Sequence, residues 1–225
     1  LDVTEHYGWL LVWGTFVGLD LASAAQIMIA RPFVAGTVAG MILGDPLAGG
    51  TVGMVLELFA LDVLPVGVAR YPDYGVGAVA AAAAAAGSPG ALGTGLAVCV
   101  GLVVAYLGEI GIRLLRGANT RDVRRHREQL DAGRLQTVWG LHLRGLLRDV
   151  ARSMALTLIG LALAVAVYLW PPVTRTGAVL VTLVLIGASI GAATSGVLQA
   201  VGRHAVLRWF ALGLVLGSLF VVIVQ

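Results

Sequence analysis

Seven polar residues, Asp20, Gln26, Arg31, Asp45, Glu57, Asp62 and Asp73, interrupt apolar sequence between Gly18 and Asp73. An ionisable group in hydrocarbon costs several kcal/mol unless it is paired, so each marks a candidate functional position. Carboxylates, an amide and a guanidinium offer hydrogen bonds to a polar solute. The chain contains no lysine, which removes the Walker A and Schiff-base lysines, and it has no Gly-rich phosphate loop in a strand-to-helix setting. His6, His126, His142 and His204 are scattered, with no carboxylate at metal or triad spacing. The chemistry expected is therefore recognition and passage of a polar solute, with no catalytic residue, metal or cofactor.

The elements that must position these residues are membrane helices. The chain has 225 residues, of which 59% are hydrophobic and 12% charged, with 31 glycines and a mean hydropathy of +0.93. A spanning helix needs roughly 20 apolar residues. The expected fold is all-α and polytopic, a single membrane domain over residues 1–225 with about six to eight transmembrane or re-entrant helices. Residues 9–29 are long enough to span, with Trp9 and Trp13 suited to an interface. Ala22-Ser23-Ala24 mimics a signal-peptidase site, but Asp2 and Glu5 precede it without any Arg, so a retained first helix is expected.

Two short runs follow. Residues 33–43 are closed by Pro32 and Asp45-Pro46, and residues 51–64 by Gly49-Gly50 and Pro65. Short, interrupted segments of this kind suggest broken or re-entrant helices whose ends face a polar substrate near the midplane. Gly36, Gly40 and Gly44 recur every four residues and are expected to line one face, as are Gly49 and Gly53. An Ala/Gly segment over 75–87, a Ser88-Pro89-Gly90 break and a span over 91–107 complete the N-terminal half. Gly75-Val76-Gly77-Ala78-Val79-Ala80 loosely matches a dinucleotide fingerprint, but inside a membrane helix it reads as packing.

Ten of the fifteen arginines fall within residues 113–152. Such a bias marks the cytoplasmic side, so this Arg-rich segment is expected to set the topology, as a lipid-facing loop or a docking surface for a cytosolic partner. Residues 139–150 look amphipathic and suited to lying along the membrane. Apolar runs at 154–169, 177–197 and 205–224 follow, with Pro171-Pro172 on the opposite side and Arg203, His204 and Arg208 back on the basic one. No aromatic-interleaved basic patch suggests nucleic acid. The lone Cys99 reads as a small buried hydrophobe.

Leu19-Asp20, Arg31-Pro32-Phe33-Val34-Ala35-Gly36, Gly44-Asp45, Leu56-Glu57-Leu58-Phe59-Ala60-Leu61, Val66-Gly67 and Pro72-Asp73 occur in that order. This succession resembles the IIC subunit of the mannose/fructose/sorbose family of the phosphoenolpyruvate-dependent sugar phosphotransferase system. The Arg-rich middle segment is similar too, whereas few motifs are recognisable after Met154, and Asp62 stands where the family usually has glycine. The resemblance implies a sugar-translocating permease subunit of the bacterial inner membrane that moves its substrate by displacing a sugar-bearing core against a scaffold. It also implies a membrane partner, IID, and cytosolic IIA and IIB subunits that relay a phosphoryl group through histidines, hence a homo- or hetero-oligomer. A phosphorylation-independent transporter or channel on the same fold, and a non-transporting scaffold or sensor, are the alternatives.

On this resemblance Glu57, mid-run in an apolar segment, is the first expected sugar ligand. Gln26 and Asp20 come next, each with a helix cap or interhelical hydrogen bond as the alternative. Arg31 either pairs with Glu57 or anchors at the interface beside Pro32. Asp45 reads as a helix-end residue, and Asp73 is expected near the sugar path.

Overall fold

Apolar runs bounded by Pro, Gly and Asp become helices, and those boundaries explain their lengths. The computed structural model describes residues 6–23, 26–62, 71–86, 91–169 and 174–201. Over the described residues the chain forms α1 (Tyr7–Ala22), α2 (Pro32–Ile42), α3 (Pro46–Ala60), α4 (Tyr74–Ala86), α5 (Ala91–Arg125), α6 (Arg127–Asp131), α7 (Leu135–Leu169) and α8 (Arg175–Val201). The expected features at Pro65, Val66-Gly67, Ser88-Pro89-Gly90, Pro171-Pro172 and residues 203–224 lie outside them.

Proline starts both helices of the short pair. Arg31 and Asp45 precede prolines and are non-helical, while Pro32 and Pro46 occupy the first helical position, where a missing N–H costs nothing. The Asp45 side chain caps α3 by accepting the N–H of Ala48 at 2.9 Å. Between the two helices Gly44 takes a left-handed φ of 79°. There Asp45 N–H donates to Gly40 C=O at 2.8 Å and Gly44 N–H to Met41 C=O at 3.1 Å, which closes α2 as a Schellman motif. Gly44 therefore makes the turn and does not share the helical face of Gly36 and Gly40. With 11 and 15 residues, α2 and α3 extend about 17 and 22 Å, short of a ~30 Å hydrocarbon core.

The α2–α3 hairpin is held together by the absence of side chains. A Cβ on Gly40 would lie 3.0 Å from the Cα of Gly49, and one on Gly53 would lie 2.6 Å from the carbonyl oxygen of Pro32. Backbone is packed on backbone, as small residues permit. Behind this hairpin runs α4, buried from Tyr74 to Ala85 on every side. It touches α1, α2, α3, α5 and α7, so it is the axis of the bundle. A helix apolar all round belongs in such a place.

Two further expectations are corrected. The first helix ends at Ala22 and not at residue 29, because the carboxylate of Asp20 captures the amides of the following segment and turns the chain. The amphipathic stretch 139–150 is not a separate surface helix. It is continuous with the next span in α7, a helix of 35 residues, and α5 likewise runs on through the basic region to Arg125. Residues 113–152 thus form most of a helical hairpin, with α6 at its tip. Among the described residues, three stretches are long and apolar enough to cross a membrane: Gly93–Arg125, Leu135–Leu169 and Arg175–Ser195. This is a polytopic helical membrane protein with broken helices in its N-terminal half.

Candidate functional site

The site begins at the last turn of α1. Asp20 is 5% exposed, and its two oxygens reach past the helix end. Oδ1 accepts the N–H of Ile27 at 2.7 Å, and Oδ2 accepts that of Ala30 at 3.0 Å. One carboxylate thereby satisfies two amides that no helix or sheet would otherwise pair. The segment it gathers carries Gln26 and Met28 in left-handed conformations, with φ of 48° and 69°. Such values are uncommon for residues other than glycine and cluster at functional sites.

Between this segment, Tyr71 and α5 lies a cavity of about 370 Å³. Its polar lining is Asp20, Gln26, Arg31, Tyr71 and Arg116, and Ala22, Met28 and Ile112 are among its apolar walls. Three of the five residues expected at a binding site are therefore brought together. The other two are placed differently.

Glu57 sits behind Arg31, near the end of α3, and forms an ion pair with it. Its other oxygen accepts the N–H of Phe33 at 3.2 Å. A carboxylate at the first turn of α2 satisfies an otherwise unpaired amide and meets the positive end of the helix dipole. Of the two alternatives for Arg31, pairing with Glu57 is the one seen.

Asp73 does not line the cavity. It is fully buried at the start of α4, where Oδ1 accepts the N–H of Val76 at 3.2 Å and Oδ2 accepts Nη1 of Arg152 at 2.9 Å. Nε of Arg152 donates to Asp149 Oδ1 at 2.7 Å. Its Nη2 donates to the carbonyl of Gly18 at 2.9 Å and to Ser153 Oγ at 3.1 Å. The hydroxyl of Ser23 closes the cluster by donating to the other oxygen of Asp149.

Sequence reasoning missed Tyr71 and Arg116 at the cavity, and it read Arg152 and Asp149 as part of a topogenic basic segment. A signal for the second pair was present. Asp149, Arg152 and Ser153 are spaced to share one face of α7 with Leu156 and Gly160, and that face is buried.

A second cavity of about 360 Å³ adjoins the first across Ala22, and its lining includes Ser23, Asn119, Asp122, His142 and Arg148. Its charged groups are largely committed to one another: Arg148 pairs with Asp122 at 2.8 Å and donates to Asn119 Oδ1 at 3.2 Å.

Comparison with known proteins places this architecture. Residues 7–221 match the family model of the sorbose-specific IIC component of the phosphotransferase system. The fructose permease IIC component of Bacillus subtilis is 31% identical over 129 residues, covering 57% of this chain and 47% of that protein. The mannose-specific EIIC component of Escherichia coli is 26% identical over 140 residues, covering 62% and 52% respectively. The chain thus spans about half the length of these curated relatives. Among solved structures, the mannose transporter ManYZ in complex with a microcin superposes with a TM-score of 0.59 at 19% identity, covering 96% of this chain and 86% of that one. A second membrane protein gives 0.70 at 18% identity, with coverage of 96% and 87%. At these identities the structural likeness is one of fold. The family match over nearly the whole chain carries the assignment: this protein belongs to the sorbose-type IIC family of the phosphotransferase system.

Proposed function

We propose that this chain is the sugar-translocating IIC subunit of a sugar phosphotransferase permease in the bacterial plasma membrane, with a substrate of the mannose, fructose or sorbose class. The observation that carries the reading is the cavity over α1 and α5, where a carboxylate, an amide, a phenol and two guanidinium groups converge. Every sugar hydroxyl both donates and accepts, so a pocket mixing these groups can satisfy several at once. A carboxylate offers about four acceptor positions. Asp20 spends two on Ile27 and Ala30 and keeps the others for hydroxyl groups. The side chain of Arg116 lines the cavity and makes no hydrogen bond or ion pair with another described residue, while Arg31 is held in place by Glu57. In this reading Asp20, Gln26, Arg31, Tyr71 and Arg116 contact sugar, and Glu57 acts by orienting Arg31.

The polar set binds and does not transfer, so the phosphoryl group comes from cytosolic IIA and IIB subunits, and a IID subunit completes the sugar path. The arginine-rich hairpin of α5 and α7 lies on the cytoplasmic side. The test is binding of radiolabelled mannose, fructose and sorbose to the full chain purified with its IID partner. Saturable binding of at least one is expected. None with any of the three, by protein shown to be folded, refutes the reading.

A further inference from the structure

We infer that Arg152 is a positioning residue for the sugar cavity, a single guanidinium that ties two of its walls to each other and to the basic hairpin. The inference rests on the proposed function above. One wall is the end of α1, and Arg152 Nη2 holds it through the carbonyl of Gly18, two residues before Asp20. The other wall carries Tyr71, and Nη1 holds it through Asp73, two residues further on. Nε holds Asp149, which in turn takes the hydroxyl of Ser23, the residue after the cavity-lining Ala22. Two of the cavity's walls are thus referred to one side chain of α7.

The surroundings are built for this reach. α1 approaches α7 on glycine: a Cβ on Gly14 would lie 2.6 Å from Thr157, and one on Gly18 would lie 2.6 Å from Ser153 Cβ. That closeness brings the Gly18 carbonyl to the guanidinium. Asp73 is pinned from behind as well, its N–H donating to the carbonyl of Ala105 on α5 at 2.9 Å. The side chain of Arg152 is 9% exposed, and those of Asp73 and Asp149 are fully buried. A buried ion pair adds little net stability over an apolar replacement. What it does supply is direction, because the planar fork presents five donors at fixed angles, which a lysine cannot reproduce.

The test reads sugar affinity and melting temperature together, on the full chain reconstituted in nanodiscs with its IID partner. The probe is whichever of mannose, fructose and sorbose the wild type binds most tightly. Arg152→Lys keeps the charge but offers one nitrogen. Arg152→Gln combined with Asp149→Asn keeps the net charge of the cluster but removes the fork. Both should lose affinity by about tenfold or more, as expected when binding groups are misplaced. With water from the adjoining cavity that Ser23 lines able to take its place on Asp149, Ser23→Ala removes only the outermost link and leaves the ion pairs of Arg152 intact. It should cost about threefold, the lower end for one hydrogen bond, at an unchanged melting temperature. In a Gln26→Cys, Cys99→Ala background it should also speed thiol labelling at position 26.

A merely structural role predicts that affinity falls only in step with melting temperature and that Ser23→Ala is silent in both binding and labelling. Either result overturns the assignment. Should the Arg152 variants fail to fold, Ser23→Ala decides alone. Asp20→Asn, run alongside, keeps the two readings apart. If it lowers affinity while Arg152→Lys and Ser23→Ala bind as wild type, the positioning role is refuted; if it has no effect, the cavity itself is misassigned.

Discussion

Asp20→Asn is the most direct probe of the cavity, because the substitution is nearly isosteric and its consequences can be worked from two distances. In the native chain both oxygens accept amide protons, at 2.7 Å from Ile27 and 3.0 Å from Ala30. Asparagine keeps one acceptor and turns an NH2 group toward the other amide, donor against donor. Leaving one amide without its partner costs about 1–3 kcal/mol. Gln26, Met28 and Ala30 of this segment line the cavity, where water can take up part of the loss, so the lower half of that range, about 1–2 kcal/mol, applies. A hydrogen bond from a sugar hydroxyl to a neutral acceptor is weaker than one to a carboxylate by about 1 kcal/mol. Together these amount to about 2–3 kcal/mol, or roughly 30–150-fold in affinity if they add. Because neighbouring effects rarely add in full, a tenfold loss is the floor. Folding should survive, since Asp20 pairs no cation among the described residues and a neutral amide is easier to keep in a membrane. The assay is equilibrium sugar binding on the purified complex, with thermal unfolding on the same sample. Gln26→Gly provides the companion measurement, because glycine keeps the left-handed φ of 48° without strain and deletes only the amide side chain. If both variants bind sugar within twofold of wild type, the cavity is not the sugar site.

Other consequences follow from the same geometry. Glu57→Gln breaks an ion pair whose arginine is 48% exposed, so it should cost only about 1 kcal/mol and a few-fold in affinity; a larger loss than in Asp20→Asn would make Glu57 a direct ligand and contradict its orienting role. Gly49→Ala would put a Cβ 2.7 Å from the Cα of Gly40, where backbone cannot yield. It should destabilise the hairpin by about 1–3 kcal/mol in thermal unfolding. Gly140→Ala, with nothing within 4 Å, should be neutral or stabilising, and equal melting of the two would undo the packing argument. For topology, a cysteine at Ala132 in a Cys99→Ala background should resist an impermeant thiol reagent in intact cells, and one at Thr174 should react. The reverse pattern would invert the orientation.

What could be read from the sequence was what depends on neighbours along the chain. Composition set the membrane class, Pro32 and Pro46 set where α2 and α3 begin, Asp45 announced a helix end, and the spacing of Gly36, Gly40, Gly49 and Gly53 announced close packing. Each of these acts through local backbone sterics or solvent transfer, and neither requires knowing what lies across the fold. The end of α1 was misjudged because apolarity continues past Ala22, whereas the turn is made by a side chain reaching seven and ten residues ahead. Pairings were hidden more completely. Arg31 had two plausible fates until α3 brought Glu57 beside it. Asp73 and Arg152, 79 positions apart, meet only because α4 runs down the middle of the bundle and α7 packs against it. An arginine in a basic stretch looks the same in sequence whether it faces lipid headgroups or a buried carboxylate. Its periodicity can tell which face it lies on. Only the packing of the helices, through contacts made at distances of a few ångströms, decides which charge it meets there.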